Sequence, residues 1–320
     1  TAGDSGTLSR VSKSEVYSVI ESDLLNAIAV LPAKKSMDGR ATSFTAHALL
    51  GKVYLYQDKF AEAANILEPL VGLYTLPSDP SSVFLVDGEN GPESVFEIQH
   101  SKESNGWNWG WMPQGTEGNF SVIHHGIRGY NGPVYSSGWS FNVPTQDLVD
   151  AYDSGDKRKN ASVLDIVSWA DANGAQYNEG YEHTGYFNNK YIPRAGYSKN
   201  TTELNYENNF RYIRYADVLL MAAEANNRGG ISDSKAVNYL NQVRSRAGVS
   251  SINESGTSLT QAIWDERRLE FAGEGHRFFD LVRTGQAGNE ISGFVVGKHE
   301  VFPIPQTEID ISGLTQNAGY

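Results

Sequence analysis

Helix-forming runs that carry charge among apolar residues, between positions 211 and 305, constrain this chain more than any other feature. The first run reads Arg211-Tyr-Ile-Arg-Tyr-Ala-Asp-Val-Leu-Leu-Met-Ala-Ala-Glu-Ala225 and the second Leu240-Asn-Gln-Val-Arg-Ser-Arg-Ala-Gly248. The third reads Asp265-Glu-Arg-Arg-Leu-Glu-Phe-Ala-Gly-Glu-Gly-His-Arg-Phe-Phe-Asp-Leu281, with Phe302-Pro-Ile-Pro305 beyond it. Ile213, Ala216, Leu219, Leu220 and Ala223 recur at helical spacing, as do Ala236, Leu240, Val243 and Ala247. That predicts two amphipathic helices joined at Gly229-Gly230 and packed as an antiparallel pair. A third helix is expected behind the capping box Ser258-Leu-Thr-Gln261, burying Ile263, Trp264, Leu269 and Phe271. Its continuation mixes Glu266, Arg267, Arg268, Glu270, Glu274, His276, Arg277 and Asp280 with Phe271, Phe278, Phe279 and Leu281. Charges held against apolar surface persist only when paired, so the run predicts an internal ion-pair lattice around those phenylalanines.

The front of the chain is helical too. The capping box Ser12-Lys-Ser-Glu15 opens a helix with Val16, Ile20, Leu24, Ala27 and Leu31 on one face, stopping at Pro32. A helix pair is expected over 45–56 and 60–70, with Leu50, Gly51, Tyr54 and Ala63 at offsets similar to a tetratricopeptide unit. In such a unit small residues let two helices approach closely. The middle differs in kind. From 72 to 210 helical periodicity is poor, yet the stretch holds five of the six Trp and ten of the seventeen Tyr. An irregular segment this rich in rings reads as long loops with short elements, such as the alternating strand Ser94-Val-Phe-Glu-Ile-Gln99. Long loops inside a compact domain are usually functional. The expected layout is a helical scaffold over 1–75, an aromatic-rich ligand-binding insert over 76–210 and a second scaffold part over 211–320, in one compact domain.

A formal net charge of -12 over 320 residues argues against nucleic acid and anionic lipid as partners. The absence of cysteine removes disulfides, thiolate metal sites and cysteine nucleophiles. No apolar run approaches the ~20 residues that span a bilayer as a helix.

Trp107-Asn-Trp-Gly-Trp111 is the sharpest local motif. If extended, its period of two sets three indoles on one face about 7 Å apart, a spacing that successive sugar rings can use. Indole faces attract the C–H faces of a pyranose, and rigid rings lose little entropy on binding. Asn105, Asn108, Gln114, Asn119 and Asn131 are nearby partners for sugar hydroxyls, and further rings follow at Tyr130, Tyr135, Trp139 and Phe141. The competing reading is that these rings fill a small core beneath the insert, and for Trp139 and Phe141 packing is favoured. The ligand-binding set is therefore Trp107, Trp109, Trp111, Asn105, Asn108, Tyr130, Asn131, Tyr135 and Trp139.

Other constellations point away from chemistry. Glu266 with Glu270 or Glu274 resembles a glycosidase pair, but neighbouring Arg267, Arg268 and Arg277 would lower carboxylate pKa values where a general acid needs its own raised. Glu274-Gly-His276 lacks metal-site spacing, His124-His125 is a weak hint of metal or sugar contact because adjacent side chains diverge on most backbones, and no nucleophile elbow, phosphate loop or dinucleotide fingerprint occurs. Asp147, Asp150, Asp153 and Asp156 read as a solvated helix face rather than a calcium site. No metal or cofactor is expected.

The C-terminal runs resemble the signature of the SusD/RagB family. The similarity extends through Asn142-Val-Pro-Thr-Gln-Asp-Leu148, matching an Asn-x-Pro-Thr-x-Asp-Leu pattern, and through Glu15-Val-Tyr17, Asp23-Leu24 and Arg40-Ala-Thr42. The resemblance implies a mainly α fold, a tetratricopeptide-like superhelix with a loop-rich insert. It also implies a non-catalytic protein on the extracellular face of the outer membrane that binds oligosaccharide or polysaccharide and delivers it to a SusC-like TonB-dependent transporter. Ligand-contacting aromatics in the family commonly precede the Asn142–Leu148 pattern. Members carry an upstream lipid anchor and a helical segment that this sequence is expected to lack, so membrane association would run only through that anchor. Two alternatives stay open: a peptide- or protein-binding tetratricopeptide-like protein, and a glycoside hydrolase using Glu93, Glu97 or Glu117.

Overall fold

The computed structural model describes residues 10–103, 117–199 and 205–320. Its helices are α1 (Lys13–Val30), α2 (Ser43–Leu55), α3 (Phe60–Leu67), α4 (Ser121–His124), α5 (Gln146–Asp150), α6 (Lys157–Ser162), α7 (Ile166–Asn173), α8 (Tyr215–Arg228), α9 (Asp233–Ala247), α10 (Gly256–Glu270), α11 (Arg277–Arg283), α12 (Ala287–Glu290) and α13 (Gln306–Ser312). Two small antiparallel sheets accompany them, β1 (Ser94–Ile98) with β4 (Phe210–Arg214), and β2 (Val163–Asp165) with β3 (Tyr186–Asn188). The chain is mainly helical.

Helix α8 is the axis of the scaffold. All its residues except Arg228 are buried, and α2, α3, α9 and α10 pack around it. Ala216, Ala222, Ala223 and Ala225 keep its surface low enough for neighbours to approach from several sides, while Leu219, Leu220 and Met221 fill the core with Leu67, Leu240 and Ile263. The expected amphipathic helix is thus buried all round. It also begins later than the periodicity suggested, because Ile213 lies on β4, paired opposite Phe96 of β1. The alternating Phe210-Arg-Tyr-Ile-Arg214 suits a pleated strand, and cross-strand pairing overrides its helical spacing.

The α2–α3 pair owes its closeness to Gly51. A Cβ there would lie 2.4 Å from Leu67 Cδ2, so only glycine admits this approach. Helix α1 starts at the expected box, with Glu15 N donating to Ser12 Oγ at 3.2 Å and Ser12 N to Glu15 Oε2 at 2.8 Å. No residue of α1 is buried, and Val16 is 45% exposed. Helix α10 begins at Gly256, two residues before the expected box, and Asp233 at the start of α9 accepts from Gly256 N at 2.8 Å. A cap borrowed from a neighbouring helix leaves no local sequence signal.

The insert has cores of its own. Ile127, Tyr130, Tyr135, Leu164, Ile166, Phe187 and Ile192 form one, and Val122, Ile123 and Tyr206 form a smaller one against which Trp139 and Tyr197 pack. No helix among the described residues is long and apolar enough to cross a membrane.

Candidate functional site

Two loop strands of the insert cross at glycines and lift a group of rings to the surface. Gly126 and Gly138 meet so closely that a Cβ on Gly138 would lie 2.3 Å from Gly126 Cα. Beyond the crossing, residues 138–141 run beside 123–127, with Gly138 N donating to Ile127 O (2.8 Å), Trp139 N to Ile123 O (2.9 Å), Ser140 N to Gly126 O (2.8 Å) and Phe141 N to His124 O (2.7 Å). This ladder fixes His124, Trp139 and Phe141 together. His124 is the hub, with its ring centroid 5.7 Å from Phe120, 5.0 Å from Trp139 and 6.0 Å from Phe141. Phe120 and Phe141 are 57% and 55% exposed, whereas Trp139 is half-buried and rests on the small core below. The result is a surface platform of outward rings braced by inner ones.

Phe141 was expected to pack, and it does not. Ser140 (φ 61°) and Asn142 (φ 51°) both hold left-handed backbone, so the alternation that would put Phe141 in a core is broken on both sides. Trp139 sits in the platform as its bracing ring. Tyr130 and Tyr135 are corrections to the candidate set, at 8% and 7% exposed. Trp169 covers them, donating from Nε1 to the Tyr130 hydroxyl at 2.9 Å and lying edge-on to Tyr135 at 5.0 Å, while Tyr130 donates to Pro133 O at 2.7 Å. Rings so enclosed fill the insert's core. Asn119 is likewise structural, buried with Nδ2 donating to Asn208 O at 3.0 Å. Asn131 is exposed, and its main chain pairs with Gln176. Trp107, Trp109, Trp111, Asn105, Asn108 and Gln114 lie outside the described residues. The flanks of that segment are joined, since Ser101 N donates to Glu117 O at 2.9 Å, and Phe120 follows three residues later.

The charged C-terminal runs form the expected lattice, but its partners come from across the chain. Arg214 on β4 reaches Glu93 (2.7 Å), Glu270 (2.5 Å) and Glu274 (2.7 Å), and Arg246 of α9 pairs with Glu93 and Glu270. Arg158 and Lys190 of the insert close it from the other side, on Glu266 (2.5 Å) and Glu274 (2.6 Å). Its central ring is Phe271, with the Arg214 and Arg267 guanidinium carbons 4.5 and 4.9 Å from the centroid. Phe279 points outward at 56% exposure, so the lattice does not surround it.

These carboxylates are placed for cohesion. Burial pushes Glu270 and Glu274 up, but the surrounding arginines outweigh it and hold both below the usual carboxylate range. Glu266 departs from expectation, since burial raises it despite Arg158 and Arg244, although both its oxygens accept from those guanidinium groups. Glu93 and Glu97 are also buried, Glu97 accepting from Asn90 N and Asn209 Nδ2 at 3.0 Å each. Glu117 is exposed. Asp147 pairs with Arg268 and Asp156 with Arg158. Among the described residues no group of three His, Cys, Asp or Glu side chains is arranged to hold a metal ion. Burial pushes His125 down to about 4, which keeps it neutral beneath the platform.

Phe120 was absent from the candidate set. The signal available was its place just before the helix that carries His124, an aromatic at i and a ring at i+4.

Known proteins resemble this chain in sequence and in fold. A family model described as SusD family matches residues 163–301. A solved structure of a laminarin-binding SusD-like protein superposes with a TM-score of 0.88 at 41% identity, over 97% of this chain and 70% of that one. Surface glycan-binding protein A from Bacteroides thetaiotaomicron, in complex with laminarihexaose, gives a TM-score of 0.83 at 29% identity, over 97% and 72%. SusD-like protein P2 of Formosa agariphila is 28% identical over all of this chain and 68% of its own length. Other curated relatives are matched over 50 to 60% of their lengths.

Proposed function

This chain belongs to the SusD family, and from that premise we propose that it is a non-catalytic glycan-binding protein whose ligand stacks on the Phe120–His124–Trp139–Phe141 platform. The observation that carries the reading is the outward exposure of Phe120 and Phe141 on a loop crossing fixed by Gly126 and Gly138. Rings held in place before the ligand arrives lose little freedom on binding, and their faces match the C–H faces of a pyranose. Two structural relatives are described as binding laminarin or laminarihexaose, which makes a β-glucan of that type the first ligand to try. Trp107, Trp109 and Trp111, with Asn105 and Asn108, enter as a proposal from sequence, supported by the joined flanks of their segment beside Phe120. Asn131 belongs to the same proposal. Delivery of the glycan to a SusC-like TonB-dependent transporter, from the extracellular face of the outer membrane, is the physiological setting the family suggests.

Affinity electrophoresis against laminarin, starch, xylan and pectin tests the reading. Retardation by at least one polysaccharide, weakened when Trp107, Trp109 and Trp111 are all replaced by Ala, is the expected outcome. A chain that none of them retards is not a glycan binder of this kind. A reducing-sugar assay on the bound polysaccharide should stay flat; turnover lost in Glu117→Gln would instead make the protein a hydrolase. Co-purification with the transporter from outer membranes tests delivery, and its absence under conditions that preserve the membrane would sink that step.

A further inference from the structure

A third exposed ring stands beside the platform. Tyr181 is 91% exposed at the tip of a turn closed by His183 N donating to Gly180 O at 3.3 Å. The next residue, Glu182, has φ 56°. The turn is joined to the platform loop, for Asn178 N donates to Arg128 O at 2.8 Å. A Cβ on Gly180 would lie 3.4 Å from Ser140 Cβ and 3.7 Å from Arg128 Nε, so the residue before Tyr181 abuts the side chain of the residue before Phe141. Arg128 lies at this seam. It is exposed, its Nη2 donates to Trp139 O at 2.8 Å, and it has no ion-pair partner among the described residues.

One exposed tyrosine is ordinary on any surface. Here the turn that carries the exposed ring meets the loop that carries a second one, both rings stand next to non-glycine residues in left-handed backbone, and a guanidinium with no ion-pair partner among the described residues lies at the seam. Such backbone persists only where its surroundings over-determine it, and it gathers at ligand-binding positions. Burial gains nothing from a ring left almost wholly in water.

We propose that Tyr181 is a distal subsite of the same glycan surface. The platform at Phe141 holds one end of a bound stretch, Arg128 donates to hydroxyls at the seam, and Tyr181 stacks on a sugar residue further along. The protein would then select a run of several residues within a polymer over a disaccharide or a chain end. This inference rests on the glycan-binding reading and adds a length requirement to it.

Calorimetry with laminari-oligosaccharides of two to six residues tests it on the wild-type chain, Tyr181→Ala, Tyr181→Phe and Phe141→Ala. Tyr181→Ala should weaken the hexaose about 5- to 10-fold, the loss of one stacked ring, and leave the biose unchanged. Tyr181→Phe should bind as the wild type does, because it keeps the ring, and Phe141→Ala should lose affinity at every length. A Tyr181→Ala protein that matches the wild type at all lengths, or loses equally at all of them, overturns the subsite while leaving the platform standing. A wild-type chain that binds hexaose no better than biose does the same. A wild-type chain that binds no member of the series, nor any polysaccharide on the panel, overturns the glycan reading and the subsite with it.

Discussion

Arg158 Nη1 lies 2.5 Å from Glu266 Oε1 although 108 positions separate the two residues, and both side chains are shut off from water. Arg158 also chelates Asp156, and Glu266 accepts from Arg244 at 2.7 Å. The pair therefore ties α6 of the loop-rich insert to α9 and α10 of the scaffold. A platform built on loops stays in register with the helices only while such ties hold.

Replacing Arg158 by Ala leaves Asp156 buried without its cation and Glu266 with Arg244 alone. The expected cost is about 3–5 kcal/mol, the usual penalty for orphaning one member of a buried pair. Urea unfolding of Arg158→Ala should show the midpoint falling accordingly. The double replacement Arg158→Met with Asp156→Asn should recover part of the loss, because Asp156 then carries no lone charge and Glu266 keeps Arg244. A single replacement that costs less than about 1 kcal/mol would contradict this account of the lattice.

Gly51→Ala should pry α2 from α3. The added methyl would meet Leu67 at 2.4–2.9 Å, and Leu67 is fully buried. Overpacking of this kind costs about 1–3 kcal/mol, more than the helix propensity gained from alanine. Thermal melting of the variant at or above the wild-type midpoint would show that Leu67 can move aside after all.

Gly51 was legible in advance, as a small residue at a helix-crossing offset, and so was the Ser12–Glu15 box, since both are local patterns. The ion lattice was half legible. Its acids and arginines at 266–277 stood out, but Arg158, Lys190 and Glu93 meet them only after folding. The rings were hardest. Tyr130 and Phe141 are aromatic residues in one irregular stretch, and nothing near them distinguishes core from surface. Trp169, 39 positions on, covers Tyr130, whereas two left-handed residues turn Phe141 outward. Tyr181 offered only a preceding glycine. Ligand surfaces made of loops are specified by such non-local neighbours, which a periodicity does not record.

Acid should destabilise the protein through two buried histidines before Glu270 and Glu274 titrate. Burial pushes both His125 and His276 down to about 4, so both stay neutral in the folded chain at pH 5. Asp217 pulls His276 the other way, while Lys52 and Arg267 reinforce the burial. The unfolded chain binds these protons near pH 6.5, so between about pH 4 and 6.5 it holds more of them than the folded chain. Stability therefore rises with pH across that window, and acidification from pH 8 to 5 removes roughly 2 kcal/mol for each histidine. Glu274, held below its usual value by Arg214 and Lys190 despite its burial, contributes stability above its unfolded pKa and loses it only at lower pH. Urea unfolding at pH 8, 7, 6 and 5 should show the decline, and His276→Gln should flatten it by about half. Equal stability at pH 8 and 5 would contradict the burial of both rings.

Phe141→Ala and Tyr135→Ala should fail in opposite ways. Phe141 is 55% exposed, so truncating it forfeits little core packing, and the melting temperature should move by no more than a surface substitution moves it. If its face stacks on sugar, affinity for the bound glycan should fall about tenfold, equivalent to roughly 1.4 kcal/mol. Tyr135 is 7% exposed between Tyr130 and Trp169, at centroid distances of 6.0 and 5.0 Å, and Arg194 lies over its ring. Deleting that ring should cost about 3–5 kcal/mol of stability, as for other buried aromatics. Whatever binding it loses should then track the unfolded fraction. Paired melting and calorimetry on the two variants distinguish platform from core. A Tyr135→Ala protein that melts like the wild type yet no longer binds would return Tyr135 to the ligand surface. A Phe141→Ala protein that binds at full strength would remove Phe141 from it.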